Sequence, residues 1–354
     1  MTDTSLWPRL ADLPLVIEGY ELEALTAQLA GGMVRTTIQI RLLGAGHDGL
    51  GEDVSVFPDA PDPFGDVATE LPLAGEWTLG SFSDHLATLD QWSTPPEYVF
   101  ARLWRNWAYE SAALDLALRQ AGRALHEVLE REPRPLTFVN SLGLGDPPST
   151  DTIHRRLANH PDVRFKLDAA TAWTLAVCED LAATGAVNVV DFKGQYGMEV
   201  EDPRALAAMY AHVIATFPDA ILEDPHDLPE VQAALAPHAD RVSYDALITS
   251  ADDLATTPIN PIRVVNIKPC RTGSLRRLLA LYARCEADGL LMYGGGMGEL
   301  GVARGQIQLL ASLFHPDGPN DVAPSPFNGP DPPGGLPTSP LPPEPAATGF
   351  RRAS

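Results

Sequence analysis

Four apolar runs in the second half of the chain each stop on a charged side chain. They end on Asp191, Glu223, Asp245 and Lys268, at intervals of 32, 22 and 23 residues. Each interval is long enough for one strand, one loop and one helix, so the repetition predicts a parallel barrel. Because the carboxyl ends of all strands in such a barrel open on one face, we expect these four side chains to converge there.

The sequence around these runs supports the barrel. Strand candidates and helical segments alternate from residue 136 to residue 324, which is typical of βα units. The strand candidates are 137–142, 163–168, 187–191, 220–223, 241–245, 263–268, 289–293 and 321–324, and the main helical segments are 170–183, 203–216, 273–287 and 301–313. We therefore predict an α/β fold with eight strands arranged in one barrel.

Residues 1–135 follow a different pattern and are predicted to form an α+β capping domain. Apolar and polar side chains alternate over 35–42, as in a half-buried antiparallel strand. The stretch 44–66 is rich in Gly, Asp and Pro and is predicted to be a loop. Over 100–130, apolar side chains recur at helical spacing, which predicts a long helix.

Residues 325–354 hold many of the 33 prolines of the chain. Such a segment can be a disordered tail, or it can lie as a semi-rigid extended segment along the capping domain. Phe327, Leu336 and Leu341 lie among these prolines, which lower the entropy cost of docking. We predict that the segment from Pro324 to about Pro345 is ordered against the body of the protein.

Composition argues against several classes of protein. The net charge of −22 argues against a nucleic-acid partner, which requires a basic surface. The chain has no apolar run of about 18 residues, and its first residues lack the basic start and apolar core of a signal peptide. We therefore expect no membrane association and a cytoplasmic location. Cys178, Cys270 and Cys285 are odd in number and unpatterned, which favours a reducing compartment and no structural zinc site. Homo-oligomer formation is left open.

Three carboxylates at successive strand ends suit a hard divalent cation. Mg²⁺ prefers oxygen ligands in octahedral geometry and keeps positions for water or substrate. We therefore predict that Asp191, Glu223 and Asp245 bind Mg²⁺, with Mn²⁺ as an alternative ion. The competing interpretation is that strand-end acids cap helices, and Asp224 is the better candidate for that role. Lys268, one strand further on, is predicted to act as a general base beside the metal.

Several short motifs occur in a fixed order along the predicted barrel. They are AspPheLysGly at 191, LeuGluAspPro at 222, TyrAsp at 244 and AsnIleLysPro at 266. Together with GlyLeuGlyGlu at 49 and the helical stretch 110–122, they resemble the enolase superfamily, in particular its mandelate racemase and muconate-lactonizing branch. The resemblance covers most of the chain. It implies a modified TIM barrel of the (β/α)7β type with a capping domain, a bound Mg²⁺, and proton removal next to a carboxylate by a Lys or His base through an enediolate intermediate.

The second and third barrel strands depart from the family pattern. Related enzymes often carry Lys-x-Lys at the end of the second strand, whereas this chain has Lys166 and then Asp168. Where Asn commonly follows the metal-binding Asp by two residues, this chain has Lys193. Lys193 lies on the neighbouring strand and either replaces the missing lysine of the second strand or neutralises Asp191. The sequence favours neither alternative over the other. Lys166, Lys193 and Asp168 therefore join Lys268 as candidate catalytic residues.

A glycine-rich loop follows the seventh strand candidate. Residues 294–301 contain a formal GxGxxG, the pattern that binds a dinucleotide in a Rossmann fold. Too few residues remain after Gly301 for such a domain, so we expect the loop to face an anionic group of the substrate instead. The candidate substrate-binding residues are Gly295, Gly296, Gly298 and Glu299.

The sequence thus favours a Mg²⁺-dependent lyase or isomerase that acts on a small carboxylic acid. Racemases and epimerases need a base on each face of the substrate carbon, and Asp168 stands where the family has a lysine for one face. The resemblance therefore favours elimination or cycloisomerisation, as in o-succinylbenzoate synthase or muconate cycloisomerase. The alternatives are an acid-sugar dehydratase or epimerase, and a metal-binding barrel without catalysis that binds a protein partner.

Overall fold

The computed structural model describes residues 6–29, 32–56, 62–68, 70–197, 200 and 202–353. The N-terminal part is an α+β unit. Its strands are β1 (Pro14–Ile17), β2 (Gly19–Gln28), β3 (Val34–Gly44), β4 (His47–Asp53) and β5 (Gly75–Thr78), and its helices are α1 (Trp7–Ala11), α2 (Leu79–Leu86), α3 (Ala101–Gln120) and α4 (Leu125–Leu129). β3 pairs with β2 and β4, and β1 pairs with β5, all antiparallel. The predicted strand and helix are confirmed, although the helix is interrupted between α3 and α4.

The predicted loop over 44–66 is wrong for residues 47–53, which form β4. The glycines of this stretch have another purpose, because β4 lies directly against α3. A Cβ atom on Gly51 would come within 2.0 Å of the carbonyl oxygen of Ala108. Glycine thus permits a close approach between helix and strand here, and it does not mark a turn. Residues 57–61 of the predicted loop lie outside the described residues.

The second part of the chain is a curled parallel sheet with helices around it. Its strands, which are neighbours in chain order, are β6 (Asn140–Gly143), β7 (Phe165–Asp168), β8 (Val187–Asp191), β9 (Ile221–Glu223), β10 (Val242–Tyr244), β11 (Val264–Ile267) and β12 (Leu291–Gly294). The helices are α5 (Asp151–Asn159), α6 (Leu175–Ala183), α7 (Pro203–Thr216), α8 (Pro229–Leu235), α9 (Pro269–Thr272), α10 (Leu275–Asp288) and α11 (Val302–Phe314), with 3₁₀ turns at Ala236–Arg241, Asp252–Ala255 and Ser325–Asn328. The predicted capped α/β barrel is confirmed. No helix among the described residues combines the length and apolar composition that crossing a membrane requires.

The eighth strand predicted at 321–324 is much shorter than expected. Among the described residues here, Asn320 and Asp321 alone form backbone pairs with the barrel. Asn320 pairs with Phe138, before β6, and Asp321 pairs with Gly295, after β12. The Asn320 side chain adds hydrogen bonds of 2.7 and 2.9 Å to the backbone on both sides. A side chain therefore replaces part of the backbone ladder, and this short closing segment joins the first and seventh barrel strands.

Two buried glutamates of the N-terminal unit hold the barrel helices that follow β11 and β12. Glu52, in β4, accepts hydrogen bonds of 2.6, 3.0 and 3.1 Å from three backbone N–H groups at the start of α11. Glu110, in α3, accepts a hydrogen bond of 2.7 Å from the N–H of Leu275, the first residue of α10. Carboxylates stabilise helix N-termini because unpaired N–H groups and the helix dipole point at them. The two units are therefore joined at helix starts beside the C-terminal edge of the sheet.

The proline-rich segment lies against both units. Phe327 is buried beside β6, and Leu341 pairs with Leu136. Further on, the backbone N–H of Phe350 donates to Asp115, in α3, at 2.7 Å. The chain thus runs from the barrel back to the long helix of the N-terminal unit. The division of domains at residues 135 and 324 stays a prediction.

Candidate active site

The C-terminal ends of five strands bring the selected side chains to one place. Asp191 and Glu223 are the last residues of β8 and β9, and Asp245 directly follows β10. Lys166 lies in β7, and Lys268 directly follows β11. All five side chains are buried, the carboxylates completely. The apolar runs form the sheet, and their charged ends meet at its C-terminal edge.

The tightest group of acids differs from the predicted set in one member. Carboxylate oxygens of Asp191, Glu223 and Asp224 lie within 4.8 Å of one another. Asp224 also accepts a hydrogen bond of 2.8 Å from the N–H of Asp245, so it binds backbone after a strand and does not cap a helix. Burial and the neighbouring carboxylates raise the pKa of Glu223 and of Asp224, although Lys166 opposes this at Glu223.

Glu223 is held by three side chains. It accepts hydrogen bonds from Lys166, from Nδ2 of Asn266 at 3.1 Å and from the hydroxyl of Tyr293 at 2.5 Å. Tyr293 also lies 2.7 Å from the hydroxyl of Ser243. The sequence contained no signal for Tyr293, because an aromatic residue in an apolar strand is normally part of the core.

Asp245 lies between two cations. Its oxygens are 2.6 Å from Nζ of Lys268 and 2.7 Å from Nε of Arg271. Burial opposes the ionisation of Asp245, but Arg271 and Lys268 outweigh it and lower the pKa of Asp245. In return, Asp245 raises the pKa of Lys268, although burial alone would lower it. Sequence reasoning missed Arg271, which lies in the short helix α9 directly after Lys268.

Lys193 contacts acids of two neighbouring strands. Its Nζ lies 2.5 Å from Oδ2 of Asp191 and 3.2 Å from Oδ1 of Asp168. Its φ of 54° belongs to the left-handed region, which residues other than glycine rarely adopt. Such a backbone persists only where the surroundings enforce it. Lys193 of the third strand therefore lies beside Asp168 of the second strand, where it could replace the missing lysine. It also contacts Asp191, which it could neutralise.

The three lysines face a common cavity. Lys166, Lys193 and Lys268 line a space of about 600 Å³. The N-terminal unit contributes a mostly apolar wall, made of Leu29, Met33, Arg35, Val54, Ser55, Val56 and Trp104. The barrel side is more polar and includes Ser141, Asp168, Arg304, Asp321 and Asn328. The cavity thus combines an apolar side with a floor of lysines that contact buried acids.

Lysine occurs in this protein at these three positions alone. Lys and Arg together number 25, so arginine supplies every other cationic side chain apart from histidine. A lysine amine can lose its proton near neutral pH when its surroundings favour the neutral form, whereas a guanidinium cannot. The restriction of lysine to one cavity therefore places every titratable side-chain amine of the chain beside the strand-end acids. This count is a signal that motif reading overlooked.

The glycine-rich loop after β12 contributes to this cavity. Gly296 and Gly298 line it. Gly295 leaves room for Lys268, since a Cβ atom on Gly295 would lie 2.6 Å from Cε of that lysine. The three glycines therefore lie beside the lysine floor, as a substrate-binding role requires.

Glu299 is engaged within its own loop. It accepts a hydrogen bond of 2.7 Å from the N–H of Met297 and lies 3.4 Å from Arg304. At the end of the loop that was expected to face an anionic substrate group, the N–H groups of Leu300 and Gly301 donate to Glu52 instead. A contact between Glu299 and substrate stays a prediction.

The donor atoms at the strand ends suit a divalent cation. They are carboxylate oxygens, the ligands that Mg²⁺ and Mn²⁺ prefer. Oδ1 of Asp245 is buried and is paired with Nε of Arg271 at 2.7 Å, although that contact lacks good hydrogen-bond geometry. A cation would also relieve the repulsion that raises the pKa of Glu223 and Asp224. Asp191, Glu223 and Asp224 therefore form a group that could hold such an ion, and the assignment of Asp245 as a ligand stays a prediction.

Comparison with protein families gives a match over most of the chain. The family described as "Domain of unknown function (DUF8230) C-terminal domain" matches residues 132–329. The corresponding N-terminal domain of DUF8230 matches residues 8–128. The two matches cover the barrel and the unit that precedes it.

Two characterised enzymes are similar in sequence. The o-succinylbenzoate synthase of Bacillus subtilis is 33% identical over 85 residues, which are 24% of this chain and 23% of that enzyme. The N-succinylamino acid racemase of Thermus thermophilus is 25% identical over 312 residues, which are 82% of this chain and 78% of that enzyme. The first similarity is local, and the second extends over both units.

Solved structures share the architecture. The dipeptide epimerase from Methylococcus capsulatus, complexed with Mg ion, matches with a TM-score of 0.61 at 18% identity, over 89% of this chain and 88% of that chain. At this identity the similarity concerns the fold.

Proposed function

This chain belongs to the DUF8230 family and has the fold of the enolase superfamily, and on that premise we propose that it is a metal-dependent enzyme that removes the proton next to a carboxylate. The resemblance to the superfamily is confirmed by the comparisons, and the reaction is our proposal. The observation that carries it is the restriction of lysine to one cavity, in contact with buried strand-end acids. The substrate would be a small carboxylic acid.

The metal would be Mg²⁺ or Mn²⁺, held by Asp191, Glu223 and Asp245. When bound, the ion would neutralise negative charge that grows on the substrate carboxylate and part of the charge of Asp245. The contribution of the protein is orientation, since Asn266 and Tyr293 fix Glu223 by hydrogen bonds of 3.1 and 2.5 Å. Outer partners of this kind hold carboxylates in the geometry that binding requires.

Lys268 is the proposed general base. It is buried beside the cavity, and Gly295 leaves space for its side chain. Burial favours its neutral amine, but the charge of Asp245 outweighs burial and raises the pKa of Lys268. When the charge of Asp245 is shared with another partner, the balance moves towards the free amine, which is the form that accepts a proton.

The position of Lys166 supports a reaction in which Lys268 alone removes the proton, from one face of the substrate. β7 and β11 are four positions apart in the sheet, so Lys166 and Lys268 approach the cavity from opposite sides of the barrel. Although burial opposes it, Asp191 and Glu223 hold the pKa of Lys166 well above its ordinary value. Protonated Lys166 would stabilise negative charge on the substrate, and Asp168 stands where the family has the lysine that serves the face opposite Lys268. We therefore favour elimination or cycloisomerisation, with a carbon–oxygen lyase of the o-succinylbenzoate synthase type first.

A racemase or epimerase reaction is the second candidate. Lys193 lines the cavity and keeps 30% of its side chain exposed, so it can reach a substrate. It follows β8, the neighbour of β7, and can therefore serve the face opposite Lys268. The Thermus relative is a racemase by name, which makes N-succinylamino acids suitable test compounds.

The test is proton exchange in deuterated water. Wild-type protein with MgCl₂ would be incubated with a panel of carboxylic acids that includes N-succinylamino acids, and exchange and products would be followed by NMR. We expect Mg²⁺-dependent exchange or elimination with at least one acid. No reaction with any acid would instead favour the metal-binding barrel without catalysis.

Lys268→Arg is the sharpest variant. It keeps a cation beside Asp245, but a guanidinium does not accept a proton at neutral pH. The exchange rate should fall by about 10²–10⁴-fold while Mg²⁺ affinity is preserved. Exchange at the wild-type rate would exclude Lys268 as the base.

A further inference from the structure

The segment after the barrel reaches the cavity. Asn328 is the last residue of the 3₁₀ turn Ser325–Asn328, and it lines the same space as the three lysines. It is half-buried. The sequence predicted that this proline-rich segment docks on the protein, but it did not predict a contact with the site.

Arg156, in α5, holds the residues on both sides of Asn328. One nitrogen, Nη1, donates to the carbonyl of Phe327 at 2.6 Å, and Nη2 donates to the carbonyl of Gly329 at 2.8 Å. Nη1 also donates to Oδ1 of Asn140 at 2.6 Å, which ties the arrangement to β6. One guanidinium can make these bonds together because its N–H groups have a fixed planar arrangement.

Packing fixes the same turn. The ring of Phe327 lies 5.7 Å from that of Phe138 and 5.0 Å from that of His160, measured between centroids. Arg156 is 4% exposed, and burial lowers its pKa. A buried charge costs free energy unless hydrogen bonds satisfy it, and here those bonds go to the carbonyls that flank Asn328. This arrangement fixes the backbone on both sides of Asn328, which lines the cavity.

The surroundings of Asn328 indicate what it could bind. The polar wall also contains Ser141, of β6, and Asp321, of the closing segment. A hydroxyl, an amide and a carboxylate form hydrogen bonds with uncharged polar groups, and Lys166, 4.0 Å from Asp321, offsets the charge of that carboxylate. A cavity of about 600 Å³ has room for such a group beyond the reacting carboxylate.

We propose that Asn328 is a substrate-binding residue that hydrogen-bonds an uncharged polar group remote from the reacting carboxylate, and that Arg156 is its positioning residue. This assignment rests on the proposed function, since the cavity is that of the lysines. It favours carboxylic acids that carry a second polar group, such as an amide or a hydroxyl, as substrates. Simple alkyl or aryl acids would be poorer substrates.

The test uses matched acids as probes. Succinamic, glutaramic and adipamic acids would each be compared with the branched alkanoic acid of the same shape, by calorimetry with MgCl₂. Wild-type protein should bind at least one amide more tightly than the alkanoic acid of the same shape. In Asn328→Ala the ratio of the two affinities should fall by about 2–10-fold. Asn159→Ala, at an exposed position of α5, is the control and should keep the preference.

Arg156→Lys tests the positioning role. A lysine cannot bind both flanking carbonyls in the same way, so the preference should fall in part, and KM for a reacting acid should rise with little change in kcat. Arg155→Lys, at the exposed neighbouring position, should behave as wild type. Asn328→Leu keeps a similar size but removes both donor and acceptor, so it should also lose the preference if Asn328→Ala is poorly folded.

The outcomes separate this inference from the proposed function. If exchange is observed but the amide preference is absent, or survives in both Asn328 variants, the assignment of Asn328 is wrong and the reaction stands. If no acid exchanges its proton but the preference depends on Asn328, the reaction is wrong and the binding site stands. Absence of binding by every probe overturns the assignment as well.

Discussion

The histidine beside the closing segment should make stability depend on pH. His315 is buried, with Nδ1 2.6 Å from Oδ1 of Asn320 and Nε2 3.3 Å from the hydroxyl of Tyr282. A neutral imidazole satisfies both contacts if Nδ1–H donates to Asn320 and Nε2 accepts from Tyr282. Burial lowers the pKa of His315 from 6.5 to about 4, because an imidazolium is disfavoured away from water. Asn320 also bonds both neighbouring strands, so protonation would act on the closure of the sheet.

The magnitude follows from the two pKa values. The unfolded chain takes up a proton at His315 near pH 6.5, and the folded protein only near pH 4. Between these values the unfolded state binds more protons, so stability is fully present above pH 6.5 and is lost as pH falls towards 4. The full loss is about 3 kcal/mol, and about 2 kcal/mol of it should be reached at pH 5.

His315→Gln is the matched variant, since an amide has a donor and an acceptor but does not titrate in this range. Urea unfolding at pH 7 and pH 5 gives, for each protein, the change in the free energy of unfolding between the two pH values. The difference between the wild-type change and the variant change is the contribution of His315. We expect the wild type to lose about 2 kcal/mol more than the variant. Equal losses would refute the reasoning, as would an NMR titration that places the pKa of His315 in the folded protein near 6.5.

Four further perturbations test the site and the fold. Glu223→Gln should weaken Mg²⁺ binding by about 1 kcal/mol or more, and unchanged affinity by calorimetry would remove Glu223 from the ligand set. Lys193→Ala should leave elimination intact, whereas loss of exchange from one enantiomer alone would establish a two-base reaction. Gly51→Ala should lower the free energy of unfolding by about 1–3 kcal/mol, because its Cβ would meet the Ala108 carbonyl at 2.0 Å, and an unchanged urea midpoint would contradict that contact. The segment 324–345 should resist limited proteolysis of the native protein, and rapid cleavage throughout it would indicate a free tail.

Local sequence was sufficient for the strand ends. An apolar run and the polar residue that stops it are properties of a few consecutive residues, and the order of strands in a parallel barrel follows the chain. Asp191, Glu223 and Lys268 could therefore be placed at one edge before any distance was known. The same local reasoning wrongly predicted a loop around Gly51. The sequence does not distinguish a glycine of a turn from a glycine of a strand that packs closely against a helix.

The contacts between these ends were decided only by the tertiary structure. The ion pair of Lys193 with Asp168 and the hydrogen bond of Tyr293 to Glu223 join residues of different strands, and their geometry depends on how the sheet curls and closes. Asn328 lines the cavity from a turn whose flanking carbonyls accept hydrogen bonds from Arg156, 171 residues before Phe327 in the chain. The sequence alone determined which chemical groups stand at which strand ends. Which of them touch was decided by the closure of the barrel and by the return of the chain, since contacts of a few ångströms between distant residues depend on the whole packed structure.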